Sequence, residues 1–343
     1  MEVIIPAAGL STRFPNMRPK YSLVDYSGNL MIESSFKPYL SNSNITIGLN
    51  KQNEKKYSII NYLKKKYKKK IKFVVLNKLT KGPADTVFQI LKKTKINSSK
   101  EILIKDCDTF FNRDDTKGNV ISVVDIKDFN ILKNLKGKSF VKINKENIVI
   151  DIIEKKIVSD LFCCGGYKFK NKGEFMTAYN KIKKIVSGEI FVSHVIQQMI
   201  NDDKIFTFTK VKNYTDVGTF DEWHDYNQKP VIFCDIDGTI IRAQKKDQYK
   251  TKPKLLKNNI KKIKELVSRG SQIIFVTSRP QSAFKDTNKM LISLGFFKFR
   301  LIMGLLNSKR ILINDFNQAN PYPNAIAYNI YRDEDSLDKI LNI

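Results

Sequence analysis

The chain reads as an α/β protein of two domains in series, residues 1–228 and 230–343. Three observations predict this. Its 343 residues are enough for two domains of ordinary size. Short apolar runs rich in β-branched residues alternate with stretches of helical apolar spacing, the pattern of strands joined by crossover helices. Two of those runs end in paired carboxylates, Asp106 with Asp108 and Asp235 with Asp237. In open α/β sheets the carboxyl ends of strands are where ligands bind.

Composition narrows the class. Lys and Arg number 61 against 34 Asp and Glu, a formal charge of +27. Such a balance suits nucleic acid or another anionic surface. The over-use of Lys, Asn and Ile also fits AT-rich codons, and on that reading runs such as Lys64–Lys70 are solvated faces. Nucleic acid is therefore not the expected partner, and small phosphate-bearing substrates would gain from the field either way. No apolar run approaches the roughly 20 residues of a membrane span. The chain opens directly on a strand, so no leader is expected. Cys107, Cys163, Cys164 and Cys234 have the spacing of neither a zinc site nor a disulfide framework, which implies a reducing, cytoplasmic setting.

In the first domain, Val3–Pro6 is a strand running into Ala7, Ala8 and Gly9, small residues that let backbone N–H groups approach an anion. Arg13 adds a guanidinium fork suited to phosphate, and Lys20, behind Pro19, adds a second cation. Asn77–Val87 is a loop leading into a helix, with Gly82 at its centre. Ile102–Lys105 is a strand ending at Asp106 and Asp108, which point the same way at alternation spacing. Glu154 and Lys155 follow another strand, and Gly165-Gly166-Tyr-Lys-Phe169 comes after it. Cys163 and Cys164 read as small core residues and His194 as a packed histidine. Glu189 stands before a helix start at Ser193, and Asp216-Val-Gly-Thr closes the domain.

The order of these segments resembles the sugar-phosphate nucleotidyltransferases, with a GT-A-like mixed sheet, one of two Rossmann-like domains in the chain. The resemblance covers about 220 residues. It implies that the loop at Ala7, Ala8 and Gly9 wraps a nucleoside triphosphate, with Asn77 and Gly82 at the base. Arg13 and Lys20 would steady the phosphates. Asp106, Asp108 and Asp216 would hold Mg²⁺. Lys155, Glu154, Gly166 and Glu189 would line the pocket of a phosphorylated sugar, polyol or amino-alcohol acceptor. The implied chemistry is in-line attack on the α-phosphorus of CTP or UTP with loss of pyrophosphate. The second glycine of the family's loop is replaced here by Leu10 or Ser11.

In the second domain, Val231–Cys234 reads as a short buried strand ending at Asp235, Asp237, Gly238 and Thr239. A helical pattern over Lys252–Gly270 follows, then a strand at Gln272–Val276 with Thr277-Ser-Arg-Pro280 at its end. A second helix over Ser282–Leu294, a strand at Leu301–Gly304 and a strand at Ile311–Asp315, just after Lys309, complete it. The order resembles the haloacid dehalogenase-like phosphatases. By that resemblance Asp235 attacks phosphorus, Asp237 is the acid/base, Thr277 bonds a phosphoryl oxygen and Lys309 neutralises charge. Asp235, Asp237 and Asp315 would hold Mg²⁺. The family usually has two acidic residues at its last motif, and this chain has Asn314-Asp315. The short span after Asp237, on the order of ten residues, leaves no room for a cap domain. The whole reads as a bifunctional, Mg²⁺-dependent enzyme serving surface polysaccharide precursors, able to form homo-oligomers. Two rivals are a nucleic-acid end-processing or binding protein, and a transferase whose second domain is a non-catalytic docking module.

Overall fold

The computed structural model describes residues 1–128, 135–227, 229–314 and 325–341. The chain divides into two compact units, Met1–Asn227 and Gln228–Ile343. No described helix is long and apolar enough to cross a membrane.

The first unit begins β1 (Glu2–Ala7), α1 (Met31–Phe36), β2 (Asn44–Asn50), α2 (Lys51–Tyr57), α3 (Ile59–Tyr67), β3 (Ile71–Leu76) and α4 (Pro83–Lys93). Five short strands follow: β4 (Ile102–Lys105), β5 (Thr109–Asn112), β6 (Asn119–Asp125), β7 (Phe140–Ile143) and β8 (Val149–Ile153). It ends with β9 (Leu161–Phe169), α5 (Lys172–Ile182), α6 (Val192–Asn201), β10 (Phe206–Lys210), β11 (Lys212–Asp216) and α7 (Phe220–Asn227). Nine strands form one mixed sheet in the order β3-β2-β1-β4-β9-β6-β10-β8-β7, with β7 also bonded to β9. β3, β2, β1 and β4 are parallel, and β9 runs antiparallel between β4 and β6.

Both faces of this sheet are covered, which is why its central strands are apolar throughout rather than alternating. Ile4, Ile102 and Ile104 pack with α4, α5 and α6 on one face, while Val3, Ile5 and Leu103 pack with α1 and α3 on the other. Each side chain is fully buried, contributing roughly 1.5–3 kcal/mol. Pro6 is tolerated in a central strand because the pairing of β1 with β4 stops at Ile4. At Gly48 of β2, a Cβ would lie 2.3 Å from Cδ1 of Ile90, so the glycine admits α4 onto the sheet. The four cysteines are free and buried, and Cys163 and Cys164 lie in the core.

The second unit holds β12 (Val231–Asp235), α8 (Lys257–Ser268), β13 (Gln272–Val276), α9 (Phe284–Ser293), β14 (Phe299–Ile302) and α10 (Leu337–Ile340). Its strands form a parallel sheet in the order β12-β13-β14. Three expectations need correction here. β12 is buried on one face only: Ile232 and Cys234 pack into the core of this unit, whereas Val231 and Phe233, on the other face, are 48% and 50% exposed. Residues 311–314 form no strand, and Ile311 and Ile313 are 76% and 90% exposed. Asp315 lies outside the described residues. α8 starts later than foreseen, at Lys257, because its cap comes from far along the chain. The Asp335 carboxylate accepts from the N–H groups of Asn258 and Asn259 at 3.1 and 2.8 Å. The loop after Asp237 therefore runs over residues 238–256, longer than expected.

Candidate active sites

The first site is built where β4 ends. Asp106 and Asp108 follow that strand, and the antiparallel pair β5–β11 brings Asp216 opposite Thr109. The Val217 N–H donates to the Asp108 carbonyl at 2.9 Å, which closes the two segments together. Gly218 then sits between two carboxylates. A Cβ there would be 3.0 Å from Oδ2 of Asp108 and 3.1 Å from Oδ1 of Asp216. Behind Asp106, Gly165 plays the same part, since its Cβ would lie 2.6 Å from the Asp106 Oδ2.

Cations face these acids. Lys20 Nζ donates to Asp108 at 2.5 Å, and Lys138 forms an ion pair with Asp216. The exposed Arg13 adds its charge to both Lys20 and Asp108. Lys105 is fully buried, and its ammonium donates to the carbonyls of Asp106 and Thr109 and to the Thr109 hydroxyl at 2.7, 2.6 and 2.9 Å. It thereby ties the carboxylate turn to the end of β4. Burial pushes Lys105 down to about 8. Burial and the neighbouring Asp108 push Asp106 up to about 6. Burial also opposes ionisation of Asp108, but Lys20, Lys138 and Arg13 outweigh it and hold that carboxyl well below the usual range.

The loop after β1 hangs beside this cluster. Ala7 and Ala8 are buried, so their side chains belong to the core, and the open stretch is Gly9 to Arg13. Ser11 has φ +55, a left-handed conformation that favours glycine, so it is Ser11 rather than Leu10 that stands in the family's glycine position. Its hydroxyl accepts from the Lys20 N–H at 3.0 Å, which couples the loop to that lysine.

Other sequence candidates fall into separate groups. Glu154 accepts from the hydroxyls of Ser139 and Ser193, bracing the start of β7 against α6. Lys155 has φ +56, and its ammonium lies 4.3 Å above the Phe191 ring. Its N–H donates to the Lys138 carbonyl at 3.0 Å. Gly82 and Glu189 adjoin, because a Cβ on Gly82 would be 2.7 Å from Cγ of Glu189. Gly166 packs against Phe111 and Ser122, and Asn77 is exposed just past β3. His194 Nδ1 accepts from the Phe191 N–H at 3.4 Å, as a packed histidine does.

The second site lies at the ends of β12 and β13. Both oxygens of Asp237 accept from Arg279, through Nε and Nη2 at 2.7 Å each. Arg279 is 1% exposed, also bonds Gln244 and Thr287, and stacks 4.4 Å from the Tyr249 ring. Asp235 accepts from Arg310 at 3.0 Å and lies 3.4 Å from the Thr239 hydroxyl. Burial raises its pKa against the pull of Arg310. Thr277 is buried, and its hydroxyl accepts from the Arg279 N–H at 3.1 Å. Lys309 is exposed, and its neighbour Arg310 is the cation that reaches Asp235.

Residues 232–299 match the family model described as haloacid dehalogenase-like hydrolase. The first unit is similar in fold to the nucleoside-diphosphate-sugar pyrophosphorylase from Vibrio cholerae RC9. That match has a TM-score of 0.57 at 21% identity, over 66% of this chain and 99% of that one. It is also similar to the inositol-1-phosphate CTP transferase from T. maritima, with a TM-score of 0.53 at 16% identity, over 64% and 90%. A nucleotidyltransferase fold is joined to a haloacid dehalogenase-like domain. No curated protein sequence matches the chain.

Lys138, Lys105, Gly218, Gly165, Arg279 and Arg310 were not singled out from the sequence. Lys105, Gly165, Gly218 and Arg279 lie inside segments that were, so their motif context was available. Lys138 had no signal, being one of 61 Lys and Arg residues.

A divalent cation fits the first site. Asp108 and Asp216 offer hard oxygen donors converging on one glycine. Among the described residues no three His, Cys, Asp or Glu side chains form a metal cage. One or two carboxylates completed by substrate phosphates is the usual manner of holding Mg²⁺. In the second site, Arg279 takes both oxygens of Asp237, so its side chain does not suit a metal there as it stands.

Proposed function

We propose that the first unit transfers a nucleotidyl group from a nucleoside triphosphate to a phosphorylated sugar, polyol or amino alcohol, releasing pyrophosphate. The observation that carries this is the convergence of Asp108 and Asp216 on Gly218 beside the cationic loop of Arg13 and Lys20. Mg²⁺ held by Asp108 and Asp216, with Asp106 behind, would neutralise charge on the triphosphate. Arg13 and Lys20 orient the phosphates for in-line attack, with Gly9–Arg13 supplying backbone donors. Asn77 and Gly82 face the base. Glu154, Gly166 and Glu189 shape the acceptor side, and Lys155 holds the acceptor's phosphate. CTP or UTP is favoured, and one solved relative is by its name a CTP transferase.

The second unit we read as a phosphomonoesterase. Asp235 is the nucleophile: its oxygen bonds phosphorus as the ester oxygen leaves, and water then hydrolyses the aspartyl phosphate. Thr277 bonds a phosphoryl oxygen, with Lys309 and Asp315 in the roles the family motif gives them. Asp237 is the acid/base and must first give up Arg279. That pair also favours a second reading, a docking module without hydrolysis. The setting proposed is the cytoplasm, supplying surface polysaccharide precursors.

The test is pyrophosphate release from CTP, UTP, GTP and ATP with Mg²⁺ across a panel of phosphorylated acceptors. One pair should react. Lys20→Ala should lose about 10²–10³ in rate, as when one charge-stabilising donor is removed, and Asp235→Asn should keep it. Conversely, phosphate release from monoesters should vanish in Asp235→Asn alone. No release with any pair, together with salt-sensitive nucleic-acid binding, would overturn the transferase. Phosphate release that survives in Asp235→Asn would leave the docking reading.

A further inference from the structure

Two lysines from separate segments sit on the two carboxylates that converge at Gly218. Lys20 comes from the loop after β1 and reaches Asp108. Lys138 comes from the turn before β7 and reaches Asp216. The Lys138 backbone is fixed. Its carbonyl accepts from the Lys155 N–H at 3.0 Å, and the carbonyl of the adjacent Ser139 accepts from the Cys163 N–H at 2.8 Å. The Ser139 side chain is bonded to Glu154. Only the Lys138 side chain is therefore free to change partner.

Asp216 is otherwise fully engaged. Its Oδ2 accepts from the Tyr214 hydroxyl at 3.0 Å, and its Oδ1 accepts from the Gly218 N–H at 3.0 Å. The pair is largely shielded from water, with side-chain exposures of 18% and 12%. Other charges that reach Lys138 are Asp106, Asp108, Glu222 and Arg13. A cation arriving between Asp108 and Asp216 meets Oδ1 of Asp216 while the ammonium holds Oδ2, so the two compete for the charge of the same carboxylate. Two positive charges cannot share one poorly hydrated carboxylate without a large electrostatic cost.

We propose that Lys138 is an exchangeable counter-ion: it holds Asp216 in place for a divalent cation, yields that carboxylate to the cation, and turns to a phosphate oxygen of the nucleotide. This rests on the nucleotidyl-transfer reading. Its consequence is that metal and nucleotide enter together. The metal alone binds weakly because it must displace Lys138, and the nucleotide offsets that cost by giving the lysine a new partner.

The experiment uses the full chain, with Mn²⁺ as the metal probe and free Mn²⁺ counted by electron paramagnetic resonance. Lys138→Met keeps the length of the side chain and removes its charge. Mn²⁺ affinity without nucleotide should rise on the order of tenfold in Lys138→Met, the scale of one lost charge competitor. Binding of CTP or UTP with Mn²⁺ should fall by a similar factor. Lys142→Met, on the exposed side of β7, should leave Mn²⁺ affinity unchanged. Unchanged or weaker Mn²⁺ binding in Lys138→Met overturns the proposal. The Mn²⁺ arm decides alone, whereas failure of every nucleotide to bind the wild type counts against the transferase reading. Should the variant not fold, amine labelling of the wild type decides instead. Lys138 should become more reactive when Mg²⁺ alone is added, and an unchanged reactivity overturns the proposal.

Discussion

Replacing Arg279 by Met should destabilise the second unit by about 3 kcal/mol. Arg279 is 1% exposed and its side chain makes four hydrogen bonds, two to Asp237, one to Gln244 and one to Thr287. The Met side chain fills the volume but leaves Asp237, itself 19% exposed, without a counter-charge. Breaking a buried ion pair from one side costs roughly 3–5 kcal/mol. The residual access of Asp237 to water sets the effect at the low end. The single tryptophan, Trp223, belongs to the first unit. Denaturant unfolding followed by tryptophan fluorescence thus reports that unit, while far-ultraviolet circular dichroism reports both. Arg279→Met should shift the dichroism transition and leave the fluorescence transition in place. The double variant Arg279→Met with Asp237→Asn removes both charges and should recover about 2 kcal/mol of the loss. A loss under about 1 kcal/mol in the single variant, or no recovery in the double, would refute the reasoning that the pair is a desolvated unit.

The first site yields three further outcomes. Gly218→Ala places a methyl 3.0 and 3.1 Å from oxygens of Asp108 and Asp216, at a backbone with no positive φ. It should cost about tenfold in pyrophosphate release, since displacements below 1 Å at a positioned group already cost rate, with the Trp223 unfolding midpoint little changed. Mn²⁺ binding should weaken as pH falls through about 6, because Asp106, pushed up to about 6 by burial and by Asp108, then loses the negative charge it places behind the two ligands. Raising Mn²⁺ should move that midpoint to lower pH. For stability the sign is opposite: a carboxyl raised in the fold favours folding at acid pH, and that contribution is lost as pH rises through about 6. Metal-free fluorescence melts at pH 5 and pH 8 would detect it.

Much of the architecture was legible because the signals are local. The strand at Gln272–Val276 appears with the bounds its apolar run implied, since a fully covered strand needs only a short hydrophobic stretch between breakers. The carboxylate pairs were legible because a strand must end where Asp and Gly follow it. What stayed hidden depends on long-range contacts. The start of α8 is set by Asp335, more than seventy residues away, so no reading of Lys252–Lys257 could locate it. The exposure of Val231 and Phe233 is a matter of what covers their face of the sheet, and an apolar run does not say whether one face or both are covered.

The same distinction explains the partners of the acids. Motif order put Lys155 and Lys309 beside phosphate, yet the cations that reach Asp216 and Asp235 are Lys138 and Arg310. In a chain this rich in lysine, residue type carries little information about which cation meets which carboxylate. Backbone geometry decides instead. The Lys155 N–H fixes Lys138 through its carbonyl, while the left-handed turn at Lys155 sends its own ammonium to Phe191. The lysine recognisable from the motif therefore also acts through its main chain, by placing one that the motif does not mark. Charge at Asp216 is a property of two segments far apart in sequence, residues 135–139 and β11, and follows from how each is held rather than from any single stretch.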